Sequence, residues 1–366
     1  MKIPMNDLSR GIAKSESAQA AIVRVLQSGH WVHGPEHRAF EIELAKFLNA
    51  NHVLGVASGT DALEIALRAT GCTVGSKIIS VANAGGYTAI AAASIGCEVI
   101  YCDVDAEKLL MDPAALLPLL SEEIVAIVIT HLYGNVAPVS AIRKMCEPYG
   151  IKIIEDCAQA FGATEDGRRV GTIGHVGTFS FYPTKNLGAI GDAGALATND
   201  SEIAQKILEL RQYGWTSKYK IDIAGGMNSR LDEIQAAVLR IGLSKLDSLN
   251  LKRRQIIGQY SEALKNSELK LVTSFDISDV AHLAVLTVPE SHRRHIFRMH
   301  MNEFGIQTDI HYPLLDCEQL GLNQSALNEN LEQSRKYSNL IVSIPLFPEL
   351  NDSEINQITA ALTLFH

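Results

Sequence analysis

Residues His52–Ala69 read HVLGVASGTDALEIALRA. The opening HVLGVA is a short, β-branched apolar run suited to a strand buried on both faces. From Thr60 onward, in TDALEIALRAT, apolar residues return every three or four positions, the period of a helix with one buried face. Between the two lie Ser58, Gly59 and Thr60, small residues at a strand-to-helix turn. A strand passing into a helix this abruptly is half of a βαβ unit.

The same alternation continues outward. KIISVA (77–82), CEVIYCDVD (97–105), IVAIVIT (124–130) and IKIIEDC (151–157) read as strands, and TAIAAASIG (88–96) and PVSAIRKMCEPYG (138–150) as helices between them. HVGTFSFYPT (175–184) and GDAGALATND (191–200) add two further strands. The pattern predicts an α/β fold: a large domain, residues 1–240, with a mostly parallel, seven-stranded-type sheet flanked by helices. Ligands on such sheets bind at the C-terminal ends of the strands. Residues 230 to 265 carry a long helical period that connects to a smaller α+β domain, residues 241–366. That domain is expected to hold a strand in HLAVLTVPE, an amphipathic helix in RRHIFRMHMNEFGI, a helix near 326 to 341 and a terminal helix in DSEINQITAALTLFH. The first 45 residues are expected to pack against it.

Composition narrows the class. The chain has 366 residues, 47% of them hydrophobic and 20% charged, which suits a folded globular protein. The formal net charge of -9 leaves no basic face for a phosphate backbone, so nucleic acid is an unsuitable partner. The polar N-terminus lacks the apolar core of a signal peptide, and no apolar run approaches the ~20 residues of a membrane span. The six cysteines include no C-x-x-C pair and no metal-ligand spacing, which points to reduced core thiols in a cytoplasmic protein without a metal site.

Four stretches fall at strand ends or helix starts. Ser58-Gly59-Thr60 can be a plain helix cap or a cradle of free N–H groups for an anion. In IIEDCAQAFGA (153–163), Glu155 and Asp156 end an apolar strand with Gln159 one turn on, and a carboxylate held in such a place needs a protonated partner. In TFSFYPTKNLGAIGDAGA (178–195) the one amine, Lys185, sits among aromatic, small and hydroxylic residues, with Ser180 five positions before it. A free lysine, with a pKa of ~10.4, is a poor nucleophile unless burial or an aldehyde changes it. Asn228 and Arg230, in NSRLDEIQAAVL (228–239), open the long helical stretch.

The order of these features, with SGHWVHGPEHRAFEIELAKFL (28–48), HLYGN (131–135), GIQTDIHYP (305–313) and IPLFPEL (344–350), resembles nearly end to end the DegT/DnrJ/StrS family of nucleotide-sugar aminotransferases. The resemblance implies fold type I and a pyridoxal 5'-phosphate cofactor. It implies that Lys185 holds the cofactor covalently and shuttles a proton, that Asp156 pairs with the pyridine nitrogen, and that Gln159 lies near the ring oxygen. Gly59, Thr60 and Ser180 would hold the phosphate. Asn228 would reach it from the neighbouring subunit of a homodimer with a shared site. His33, Arg230, His311 and Tyr312 become candidate substrate contacts.

Two stretches depart from the family pattern. SVANAGGYTAIAA (80–92) carries Gly85 where relatives place a cofactor-stacking aromatic, leaving Tyr87 as the candidate, and after HYP the usual Pro-x-His is replaced by LLDCEQ (314–319). Lysine rather than histidine at position 185 favours amino transfer over the dehydration that some relatives catalyse. The resemblance implies amination of a keto group on a dTDP-linked deoxysugar, at C3, with L-glutamate as donor and 2-oxoglutarate as product, in amino-sugar, surface-polysaccharide (O-antigen) or glycoside biosynthesis. Alternatives are C4 amination of a UDP-keto-sugar, another fold type I reaction, or a non-catalytic regulator that binds the cofactor.

Overall fold

The structure, a computed structural model, describes residues 2–322 and 330–365. Seven strands form one sheet: β1 (His52–Val56), β2 (Lys77–Val81), β3 (Glu98–Cys102), β4 (Ile124–Thr130), β5 (Lys152–Asp156), β6 (Val176–Ser180) and β7 (Gly194–Thr198), in spatial order β1-β7-β6-β5-β4-β2-β3. Neighbours from β6 across to β3 are parallel, and β7 runs antiparallel to both β1 and β6. The α/β fold read from the sequence is thus the fold observed.

Helices cover both faces: α1 (Glu16–Ser28), α2 (Pro35–Leu48), α3 (Gly59–Ala69), α4 (Tyr87–Ile95), α5 (Val139–Cys146) and α6 (Ser201–Leu210). Successive β4 side chains feed opposite cores, as the pleat requires. Ile127 and Ile129 join Phe40, Leu44 and Phe161 on one face, and Ala126 and Val128 join Leu63, Ile65 and Ile154 on the other.

The helical stretch from 230 to 265 is two helices, α7 (Glu233–Leu243) and α8 (Leu246–Ala263), which break at Ser244–Lys245. Leu243 and Leu246 belong to a core of the large sheet, whereas Ile256, Ile257 and Tyr260 of α8 join a separate core. That second core is closed by a three-stranded antiparallel sheet, β8 (Lys270–Leu271), β9 (Ala284–Thr287) and β10 (Ile341–Ile344), and by α9 (Ser291–Glu303) and α11 (Asp352–Thr363). The helix expected near 326 to 341 is the shorter α10 (Glu332–Ser338), because Ile341 already belongs to a strand; the first part of the expected span, 326–329, lies outside the described residues.

One expectation needs correction. Of the first 45 residues only the leading segment joins the small domain: Ile3 bridges Ile306 and is buried in its core. Helices α1 and α2 pack on α7, where Ala21 and Val25 meet Ala237 and where Glu233 accepts the N–H groups of Glu36 and His37, both at 2.9 Å. Two orphan donors at the start of α2 are satisfied this way. The apolar face of α1 is thus used on α7, and α2, capped from α7, buries Phe40 and Leu44 in the large-sheet core, so neither belongs to the core of the small domain. Among the described residues no helix is long and apolar enough to cross a membrane.

The β1–α3 turn and β7 touch closely: a Cβ on Gly194 would lie 2.4 Å from the carbonyl oxygen of Ser58. Gly194→Ala is therefore expected to lower stability by about 1–3 kcal/mol in a urea titration, because backbone must move to admit the methyl.

Candidate active site

The C-terminal ends of β1, β5 and β6 open into a cavity of about 560 Å³, roofed by residues of the small domain. That volume suits a small cofactor with part of its substrate. At the end of β1, Ser58 caps α3, its hydroxyl accepting from the N–H of Asp61 at 3.1 Å. Gly59 and Thr60 N–H find no partner among the described residues. A Cβ on Gly59 would lie 2.6 Å from Cβ of Ser180, so glycine alone lets the turn approach the end of β6. Ser58 is thus the cap, and two free N–H groups and the Ser180 hydroxyl remain at the cavity, the donors an anion cradle requires.

The pleat separates the two carboxylates at the end of β5. Glu155 is fully buried and accepts from the N–H groups of Gly171 and Ile173, both at 2.8 Å, from Gly174 at 2.6 Å, and from Nε2 of His131 at 3.2 Å. Nδ1 of His131 accepts from Ala137 N–H at 3.1 Å, which fixes the proton on Nε2. Burial acts to raise the Glu155 pKa, but His131 and the backbone donors outweigh it and hold the carboxyl below its usual range. Cys157 lies beside this pair, and all three side chains could in principle meet a metal ion. The oxygens of Glu155 and both nitrogens of His131 are already engaged, so the group is a structural clamp behind the strand.

Asp156 points the other way, into the cavity. It is 6% exposed, and its Oδ1 accepts only from Ala158 N–H at 3.0 Å. Burial pushes its pKa up, opposed by that hydrogen bond and by the charge of Lys185. Lys185 is half-buried and lines the same cavity. Burial brings its pKa down to about 8, with Asp156 pulling in the opposite direction. Burial thus shifts both groups towards their neutral forms, and neither has a full partner among the described residues.

The residue after Lys185 fixes its backbone. Asn186 donates to Oδ1 of Asn250 on α8 at 2.8 Å and to the carbonyl of Val280 at 3.2 Å, and its Oδ1 lies 2.9 Å from Nδ1 of His282. Burial, reinforced by Lys185 and Arg253, drives the His282 pKa well down, so the ring is neutral where it lines the cavity. Sequence reading missed this His282–Asn186–Asn250 link; its only signal is a lone histidine and asparagines scattered over three elements. Met5, Asn6, Thr184, Asp192 and Asp309 also line the cavity and were not anticipated.

Of the expected residues, Gly59, Thr60, Tyr87, Asp156, Gln159, Ser180, Lys185, His311 and Tyr312 meet in this one cavity. Gln159 accepts the N–H of Tyr133 at 2.8 Å and donates to the hydroxyl of Tyr312 at 3.1 Å. Nδ1 of His311 lies 2.8 Å from the Ser343 hydroxyl, and burial lowers its pKa. Asn228, Arg230 and His33 do not line the cavity of their own chain. Asn228 is exposed on the surface. His33 stands 3.2 Å from His37, nitrogen to nitrogen, and burial, His37, Arg211 and Arg230 lower its pKa to about 4.

The donor set fits pyridoxal 5'-phosphate. An anion cradle, a buried carboxylate short of a protonated partner, and an amine of lowered pKa match its phosphate, pyridine nitrogen and aldehyde in turn.

Residues 13–363 match the model of the DegT/DnrJ/EryC1/StrS aminotransferase family, and the chain belongs to that family. It is 36% identical over 364 residues, 99% of each chain, to the dTDP-3-amino-3,6-dideoxy-alpha-D-galactopyranose transaminase of Aneurinibacillus thermoaerophilus. It superimposes on the crystal structure of S. venezuelae DesV in complex with a ketimine intermediate with a TM-score of 0.94, at 34% identity, covering 99% of this chain and 98% of that one. NtdA from Bacillus subtilis with bound cofactor PMP gives a TM-score of 0.91 at 28% identity, covering 99% and 84%. The chain is a fold type I aminotransferase, a sugar transaminase by family.

Modification of Lys185 by acetic anhydride in cofactor-free protein, followed by mass spectrometry, is expected to rise with pH to a midpoint of about 8. Asp156→Ala shifts that midpoint lower, since it removes the charge that favours the ammonium form.

Proposed function

We propose that this member of the aminotransferase family moves an amino group from L-glutamate to the C3 keto group of a dTDP-linked 6-deoxysugar, using pyridoxal 5'-phosphate. The observation that carries the reading is the meeting of Lys185 and Asp156 in one cavity, each shifted by burial and each short of a partner. The sugar and the carbon follow from the dTDP-3-amino-sugar relatives.

Bound in the cavity, the cofactor supplies an electron sink for the carbon next to the transferred nitrogen. Gly59 and Thr60 N–H and the Ser180 hydroxyl would hold its phosphate, Asp156 would pair with its protonated ring nitrogen, and Gln159 would lie near the ring oxygen. Lys185 would hold its aldehyde carbon, and the lysine amine is the group that would take and return the proton at the bound glutamate or ketosugar. A pKa of about 8 suits both duties, because the amine then gives and takes a proton near neutral pH.

The two carboxylates of glutamate require cations, and no arginine lines the cavity among the described residues. His282 and His311 are held neutral by burial. Arg230, which sits outside its own cavity beside His33, supplies a cation from a second copy of the chain, and Asn228 of that copy reaches the cofactor phosphate. A homodimer with a shared site follows. His311, at the roof, is the candidate contact for the nucleotide-linked sugar.

Purified protein is expected to be yellow and to carry reduced cofactor on Lys185 after borohydride. Incubated with 15N-glutamate and a dTDP-3-keto-6-deoxysugar, it should yield a sugar one 15N-amino group heavier. Lys185→Ala is expected to lower that rate at least 10³-fold, and Asp156→Ala at least 10²-fold. A colourless protein, or label on no sugar among 3-keto and 4-keto dTDP and UDP compounds, contradicts the assignment. Amination of only the 4-keto UDP-sugar corrects the substrate and leaves the chemistry.

A further inference from the structure

The turn between β2 and α4 is built from Gly85 and Gly86, with φ of +83° and +85°. A Cβ on Gly85 would lie 2.8 Å from Cε2 and Cζ of Tyr312. The phenol ring of Tyr312, carried by the segment between α9 and α10, thus occupies the space into which any side chain at position 85 would project.

That ring is fixed from two sides. Its hydroxyl accepts from Gln159 at 3.1 Å, and its chain neighbour His311 offers its carbonyl to the hydroxyl of Tyr133 at 2.6 Å. On the other side Asp316, 1% exposed, accepts the N–H of Gly86 at 2.7 Å, while its own N–H donates to the carbonyl of Ala82 at 2.7 Å. Residues 311–316 are therefore stitched both to the turn that follows Asp156 and to the β2–α4 turn. Tyr87, the other aromatic at the cavity, is 46% exposed and meets Tyr312 edge to face, with ring centroids 6.4 Å apart at 75°. Of the two rings, Tyr312 is the more enclosed, and it shares a hydrogen bond with a residue that flanks Asp156.

We infer that Tyr312 supplies the aromatic face against which the cofactor ring lies, and that position 85 is glycine so that this ring can enter from the small domain. The inference rests on reading the cavity as a pyridoxal phosphate site. Offset contact between aromatic rings adds affinity beyond the area it buries. Here that contact belongs to the C-terminal segment, so retention of the cofactor depends on the clamp formed by Asp316 and Gln159. The tyrosine assigned by resemblance to the sugar instead serves the cofactor, and Tyr87 is left at the rim.

The test is affinity for pyridoxal 5'-phosphate, measured by absorbance titration of the full-length protein after cofactor removal, with thermal melting of the cofactor-free protein to check folding. Tyr312→Leu is expected to weaken binding about tenfold, and Tyr312→Phe to stay within about threefold of wild type. Tyr87→Leu should weaken it less than Tyr312→Leu. Gly85→Ala keeps the tyrosine but displaces its ring, and should weaken binding in the wild-type background more than in Tyr312→Leu; it also serves as the readout if leucine prevents folding. Wild-type binding with Tyr312→Leu unchanged, or a larger loss from Tyr87→Leu, overturns the inference alone. Wild-type protein that takes up no pyridoxal phosphate overturns the cofactor reading and this inference with it.

Discussion

The site depends on the burial of two opposite charges that do not satisfy each other. Asp156 is raised and Lys185 lowered, mainly because water is excluded from both. An isolated buried charge is costly, and a simple ion pair would often be better replaced by apolar residues. The arrangement makes sense where each group is held ready for a further partner: a protonated ring nitrogen for the carboxylate, and a carbonyl for the amine. The polar groups behind them are fully used. Glu155 and His131 spend their hydrogen bonds on backbone and on each other, so neither is available as a partner for Asp156.

The second constraint is that the cavity belongs to two cores. Its floor is the C-terminal end of the sheet, and its roof comes from the small domain through His282, Asp309, His311 and Tyr312. Polar connections hold floor to roof, among them Asn186 to His282 and Asn250, Gln159 to Tyr312, Tyr133 to His311, and Asp316 to Gly86. Helix α8, with Leu246 in one core and Tyr260 in the other, makes the two domains share a rigid element. The enclosure of lysine and carboxylate therefore depends on the domains staying joined.

Much of this was legible in sequence, for a physical reason. Strands and helices of the large domain announce themselves by the period of their apolar residues, and the chemistry sits at their ends, where one polar residue stands out against apolar neighbours. Asp156 and Lys185 are such residues. What was not legible depends on contacts between distant segments. The link from Asn186 to His282 joins two elements with no local signature. The start of α2 is capped by a glutamate from a distant segment, Glu233 on α7. The fit of Tyr312 depends on an absent side chain at position 85, a feature a sequence displays only as one more glycine.

The most direct test of the account is the protonation state of the cofactor nitrogen. Protein loaded with pyridoxal 5'-phosphate labelled with 15N in the ring is to be followed by NMR from pH 6 to 9. The account predicts a ring nitrogen that stays protonated through this range in the wild type and loses its proton within it in Asp156→Ala. A neutral ring nitrogen in the wild type at pH 7 would contradict the central role given to the buried carboxylate.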